Sequence, residues 1–468
     1  MTTVDSGLLI LADDLSGAAE AAATLGSAVR IHLCGSANNG SSDTLDLAVD
    51  LDCRYLSPAQ ASLRAKQALE AHRAAQRSTG DRRKTLIKID SLLRGNVPAL
   101  IEAALESTDA PVILAPALPQ LNRTIVDGAP IVDGVRLAET DAWSVEDSPA
   151  PESLRDLCPQ PTLHLTLDRL RTATPEELLD VSRDGRLIIA DAESMSDIAA
   201  IVDLAVSLEA TVVGTAALAR AFATKRTISP SSTAGSPRSA SSSSPRPASS
   251  SVLTVLGTAA ERTRAQVEDL REHVTVEVID LPASALSSWT TECAALQEAA
   301  DRVRAGLAAG HVVVRIADDG RTIDPRPLPG LLAELTARVL AARPDQLPAS
   351  EPEPALTTSG PPAGSADVPI EHSELWPVDL VASGGETARA VLDRLGVGAL
   401  DVTGEIHPGA VLSEVTAASA GIAPRLNRVV TRPGNQGEVS SLTLIHEVLT
   451  GVGLPQPAAT PGTTKENE

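Results

Sequence analysis

Two adjacent carboxylates, Asp13 and Asp14, close the apolar run Leu8-Leu9-Ile10-Leu11-Ala12 and precede Leu15-Ser16-Gly17 and an alanine-rich segment from Ala18 to Leu25. A buried parallel strand followed by a helix delivers such a pair to the mouth of a βα loop, where open α/β sheets bind ligands. An Asp before a helix is also a favoured N-cap, so the pair acquires meaning only from other residues. The segment Lys88-Ile89-Asp90-Ser91-Leu92-Leu93-Arg94-Gly95-Asn96 supplies them, between a predicted strand and a helix that starts at Val97. An Arg fork matches a carboxylate or phosphate, and Asp and Asn exchange hydrogen bonds with hydroxyls. On paper this is a site for an anionic polyol; an ion-paired loop tying down the helix is the competing account.

Three further stretches carry chemistry. Arg123 follows Ala115-Pro116-Ala117-Leu118-Pro119-Gln120, and a stiff loop holds a charged fork at low entropic cost. Beyond it, the turns Asp127-Gly128 and Asp133-Gly134 predict β-hairpins over Ile125 to Ala138, an arm or lid. In the second half Asp379-Leu380-Val381-Ala382 leads into Ser383-Gly384-Gly385-Glu386-Thr387 and a helix. Paired glycines there let backbone N–H groups approach a phosphate at the helix N-terminus. The turn is neither a Walker A loop nor a GxGxxG dinucleotide turn. Leu256-Gly257-Thr258, Glu405-Ile406-His407-Pro408-Gly409 and Arg432-Pro433-Gly434-Asn435-Gln436-Gly437 add glycine-bearing loops that resemble the walls of a nucleotide pocket.

The elements that must position these residues alternate as short Val/Ile/Leu runs and alanine-rich amphipathic stretches, the pattern of βα units. We expect two α/β domains with largely parallel sheets and a cleft between them. Residues 1–227 form the first; 228–251, almost pure Ser, Pro, Ala and Gly, read as a disordered linker. Residues 252–455 form the second, with a mobile insertion over 343–374 and a flexible tail over 456–468.

At 468 residues the chain exceeds a usual single core. Aromatics supply 1% of it, so the cores must be aliphatic. A formal net charge of −22 argues against nucleic acid and anionic membrane surfaces as partners. Cys34, Cys53, Cys158 and Cys293 lie far apart without a CxxC pair, and the histidines form no metal-ligand spacing. With no leader-like or membrane-spanning run, a cytoplasmic protein is expected, either monomeric or a homo-oligomer.

Taken in order, Asp13 to Ala18, Lys88 to Asn96, Pro116 to Glu139, Gly214-Thr215-Ala216-Ala217-Leu218-Ala219, Ser383 to Thr387 and Glu405 to Gly409 resemble the four-carbon acid sugar kinase family. The resemblance implies transfer of the γ-phosphoryl group of ATP, commonly with Mg²⁺, to a tetronate such as threonate, erythronate or 3-oxo-tetronate, in carbohydrate metabolism. It implies that the first domain binds the acid sugar and the second binds ATP. Carried over, Asp13 and Asp14 would hold or deprotonate the acceptor hydroxyl, and Lys88, Asp90, Arg94 and Arg123 would grip the tetronate. Thr258, Ser383, Gly384, Gly385, Glu386, Thr387 and Gly434 would contact ATP. The chain departs from the family pattern at Ser16, Leu92 and Arg432 to Gln436. These departures leave a second expectation, a weakly active or inactive acid-sugar and nucleotide sensor.

Overall fold

The computed structural model describes residues 7–26, 29–34, 46–80, 83–143, 146, 148–158, 160–182, 186–227, 251–286, 289–290, 293–317, 320, 326–340, 377–416, 426–434 and 437–451. The expected linker, apart from Ser251, the insertion and the tail lie outside the described residues, as do Asn435 and Gln436.

The first half contributes strands Leu8–Ala12 (β1), Val29–Leu33 (β2), Leu47–Asp50 (β3), Lys84–Lys88 (β4), Val112–Ala115 (β5), Arg123–Val126 (β6), Ala129–Val132 (β7), Val135–Arg136 (β8), Leu163–Leu165 (β9), Leu187–Ala190 (β10) and Thr211–Gly214 (β11). The second adds Ser251–Leu256 (β12), Val276–Pro282 (β13), His311–Ala317 (β14), Val378–Ser383 (β15), Ala399–His407 (β16), Ala410–Val415 (β17) and Leu426–Arg432 (β18). Fifteen of these form one sheet, in the order β13-β14-β12-β15-β18-β17-β16-β2-β3-β1-β4-β11-β5-β10-β9. Pairing is parallel except within β2-β16-β17-β18. The fold is α/β with a largely parallel sheet, and the two halves share it through β2 and β16, with Leu400 opposite Ile31 and Asp401 opposite Arg30.

Strands such as β1, β5 and β10 are apolar throughout and buried throughout, as expected where helices cover both sheet faces. Helices begin where capping chemistry permits. Asp14 caps Leu15–Ala23 by accepting from Gly17 N, and Ser57 with Gln60 forms a capping box before Pro58–Thr79. The four cysteines are free thiols. Among the described residues no helix is long and apolar enough to cross a membrane.

Strand order reverses at two places. Successive strands after β1 lie to one side (β3, β2) and then the other (β4), and those after β12 divide in the same way between β14 and β15. Crevices at such switch points, beyond the carboxyl ends of the strands, are where open α/β sheets bind ligands. The hairpins expected beyond Arg123 form a separate sheet, β6-β7-β8. Both turns have positive φ at each central residue, 50° and 75° at Asp127-Gly128 and 50° and 84° at Asp133-Gly134. That is the type I′ geometry that Asp-Gly favours. Buried Asp191 pins the arm by accepting from Asp127 N and Gly128 N at 2.9 Å each and pairing with His164 at 2.9 Å.

Candidate active site

The first switch point gathers the carboxylates and cations of the first half. Asp13 and Asp14 leave β1, and Lys88, Asp90 and Arg94 follow from β4, its neighbour. Between them stands a residue that sequence reasoning did not select, Arg54. Its Nε and Nη2 lie 2.8 and 3.0 Å from the two oxygens of Asp13, and its Nη1 lies 2.8 Å from Asp14 Oδ2. Asn96 holds the Arg54 loop by donating to the carbonyls of Cys53, Arg54 and Leu56 at 2.8, 3.2 and 2.8 Å. Gly95 packs so closely that a Cβ there would sit 2.7 Å from Arg54 Cγ. The available signal was positional: Arg54 follows the carboxyl end of β3, the strand beside β1.

The two acids have different environments. Burial, with the charge of Asp14 in support, pushes the carboxyl of Asp13 up against the pull of Arg54. Asp14 is less enclosed, with 17% of its side chain exposed, and its Oδ1 accepts from Gly17 N at 2.8 Å. Lys88 is buried; its Nζ lies 3.4 Å from Glu20 and donates to the Ile89 carbonyl at 3.1 Å. Burial favours its neutral form, but Glu20, Asp13 and Asp14 outweigh this and keep it charged. Asp90 and Arg94 form a two-pronged pair at 2.6 and 3.0 Å. Despite burial, Arg94's hydrogen bonds and the Arg54 charge hold Asp90 well below the usual carboxylate range.

Arg123 differs from the other cations. Its Nη1 donates to Ser91 Oγ, a neutral group, and desolvation lowers its pKa from the ordinary arginine value. Lys88, Arg54 and Arg94 each contact a carboxylate; Arg123 contacts none among the described residues and donates to Ser91.

The second switch point gathers the glycine turns. Gly384, with φ 98°, donates its N–H to the Arg432 carbonyl at 2.9 Å, and the helix Gly385–Arg394 starts directly after it. Gly257 packs against that helix so tightly that a Cβ would lie 2.1 Å from Thr387 Oγ1. Gly434 completes the floor: a Cβ on it would be 3.7 Å from Gly384 Cα and 3.8 Å from Thr258 Cγ2. Thr258, Ser383, Gly384, Gly385, Glu386, Thr387 and Gly434 therefore share one turn cluster. Arg432 has its side chain buried and bonded to Gln266 Oε1 at 2.8 Å, a packing role behind the turns. The Glu405 to Gly409 stretch is the tip of the β16–β17 hairpin, where Glu405 Oε1 accepts from Gly409 N at 2.9 Å.

The two clusters meet. A Cβ on Gly385 would lie 2.7 Å from Asp14 Oδ2 and 3.0 Å from Ser16 Oγ, so the glycine turn of the second half abuts the acid pair of the first. Burial raises the Glu386 pKa, with Arg54 opposing it and the charge of Asp14 adding to it.

A two-part α/β protein with a buried cluster of paired acids and cations on one side and a glycine turn opening a helix on the other defines the class. Residues 8–222 match the family described as sugar-binding N-terminal domain, and 373–442 match nucleotide-binding C-terminal domain. The chain is 30% identical over 463 residues to a D-threonate kinase of Cupriavidus necator, covering 96% of this chain and 99% of that one. It is 26% identical to a D-threonate kinase of Salmonella typhimurium, over 68% of this chain and 74% of the relative. The chain belongs to the four-carbon acid sugar kinase family. Its fold is shared with a solved protein of Haemophilus influenzae, at TM-score 0.63 and 16% identity, with 94% of this chain and all of that one covered.

Proposed function

We propose that this protein is an ATP-dependent kinase that phosphorylates a hydroxyl of a four-carbon acid sugar, with D-threonate the first member to test. The observation that carries the reading is the contact of Gly385 with Asp14. It joins a turn suited to phosphates to a carboxylate suited to an acceptor hydroxyl, in a family whose relatives bear the name D-threonate kinase.

In this reading Arg123 takes the tetronate carboxylate, being the cluster cation that, among the described residues, bonds a neutral hydroxyl and no acid. Asp90 and Arg94 brace one another and offer their outer edges to the sugar hydroxyls. Asp14 is the general base: each of its oxygens keeps a lone pair beyond the bonds from Arg54 and Gly17, and it fronts the glycine turn. Asp13, gripped on both oxygens, fixes Arg54. The acceptor oxygen attacks the γ-phosphorus, its proton passes to Asp14, and the bond to the β,γ-bridging oxygen breaks to release ADP. The N–H groups at 385–387, the first turn of the helix, steady the phosphates, since phosphoryl transfer depends mainly on alignment and charge neutralisation.

Magnesium is usually held through one or two carboxylates together with substrate phosphates. Asp14 and Glu386 are the carboxylates beside the turn that fit this, and the ion would supply neutralisation of phosphate charge. Purified protein with Mg-ATP and a panel of four-carbon acid sugars should release ADP, with the phosphorylated product identified by phosphorus NMR. No ADP release across the panel would end this reading.

A further inference from the structure

The helix that carries the glycine turn is anchored in the other half of the molecule. Arg389, one turn along from Gly385, places Nη1 2.7 Å from Asp50 Oδ2 and donates through Nη2 to the Cys34 carbonyl at 2.5 Å. Its Nε lies 2.8 Å from Asp393 on the same helix. Asp50 is the last residue of β3 and is fully buried. Its Oδ1 accepts from Asp52 N at 2.9 Å, at the root of the loop that presents Arg54 to Asp13 and Asp14. One buried ion pair thus touches both walls of the gap.

We infer that Arg389 is a positioning residue: its pairing with Asp50 sets the register between the glycine turn and Asp14. The inference rests on the kinase reading for its catalytic consequence, and on geometry alone for the placement. The pair is not required to join the halves, because β2 and β16 are paired from Ala399 opposite His32 to Val402 opposite Val29, and Arg30 grips Asp401 at 2.7 and 3.0 Å. Its distinct contribution is at the switch points, where both reacting walls are rooted.

The test uses the full chain with Arg389→Met, Arg389→Lys and the double variant Asp50→Asn/Arg389→Met, the last removing both buried charges so that neither is stranded if the single change fails to fold. With Mg-ATP and D-threonate, or the tetronate turned over fastest, Arg389→Met should lower kcat about 10- to 100-fold. The tetronate KM should stay within about twofold, and ADP should exceed phosphorylated sugar as transfer leaks to water. Arg389→Lys should recover part of the coupling. Amide hydrogen exchange over 384–388 should quicken about tenfold in Arg389→Met and in the double variant. Unchanged kcat per folded molecule, one ADP per product and unchanged exchange in the folded variants would overturn the inference. Should the unaltered protein phosphorylate no tetronate, the kinase reading falls and exchange alone decides: faster exchange confined to that turn supports the placement, and unaltered exchange refutes it.

Discussion

Arg54 and Asp13 face each other as a two-pronged pair, 2.8 and 3.0 Å apart, at the carboxyl end of β1. With Asp13 buried, removing the guanidinium leaves a carboxylate without its counter-charge. Arg54→Ala is therefore expected to destabilise the fold by about 3–5 kcal/mol, measured as a lower urea midpoint. Asp13→Asn/Arg54→Met, which removes the fully buried charge and leaves only the partly exposed Asp14 without its Arg54 partner, should recover much of that loss. If the single variant melts like the parent, the pair does not hold this edge of the pocket together.

Asp14→Asn separates capping from chemistry. Asn keeps an acceptor oxygen for Gly17 N but turns its NH2 toward Arg54 Nη1, so stability should fall by about 1–3 kcal/mol while the cap is retained. Loss of the base should lower kcat by at least about 100-fold, with substrate affinities retained. A variant within tenfold of the parent in kcat would remove Asp14 from that role.

Among the described residues Arg123 donates to the neutral Ser91 and pairs with no carboxylate. Arg123→Ala should weaken D-threonate binding by about 10- to 100-fold, the worth of a charge-assisted hydrogen bond, and leave ATP binding unchanged. The uncharged four-carbon polyol, lacking the carboxylate, should bind parent and variant alike in calorimetry. Equal loss for both ligands would place the carboxylate elsewhere.

Gly385→Ala introduces a methyl group 2.7 Å from Asp14 Oδ2. Alanine suits a helix start, so the fold should hold while the gap between turn and acid widens. A drop in kcat of about 100-fold is expected, the scale associated with a misplacement near 1 Å. Unimpaired transfer would show that this contact is not where the reactants meet.

His446 ties stability to acidity. It is buried against Thr254 Oγ1 at 3.0 Å and the edge of His311, and burial lowers its pKa from 6.5 to about 3. The folded state therefore resists a proton that the unfolded chain accepts. Stability from this group is fully present above pH 6.5 and is lost as pH falls from there toward 3. Between pH 7 and 5 the loss should be about 2 kcal/mol, and His446→Gln should flatten it in urea titrations at the two pH values. A slope equal to the parent's would assign the acid sensitivity to other groups.

Much of this architecture could be read from local pattern. β1 and β5 show as uninterrupted apolar runs, and the Asp-Gly turns of the β6-β7-β8 arm carry their own backbone requirement. β9 and the helices Leu167–Thr172 and Pro175–Ser182 went unread because three to eight mixed residues hold little periodicity. β17 was hidden for another reason: it pairs antiparallel on both sides with Leu412 and Glu414 only half-buried, and its partner β16 runs on through polar Thr403 to Glu405. At the site, the acids and cations selected from the first half lie in one cluster and the residues at 258, 383–387 and 434 in the one facing it, while Glu405 to Gly409 sits apart at the β16–β17 tip. Arg54 and the Arg389–Asp50 pair escaped because their significance is one of neighbourhood. That β3 lies beside β1, and that a side chain 339 positions away reaches Asp50, is decided by strand order, which no single stretch of residues encodes.

The shared sheet carries a mechanical consequence. Two lobes on a flexible tether open like jaws, but here the backbone ladder runs unbroken from one lobe into the other. Separation of the two clusters would then take the form of a small change of twist spread over many strands, with the central β2–β16 seam as the place where stiffness opposes it.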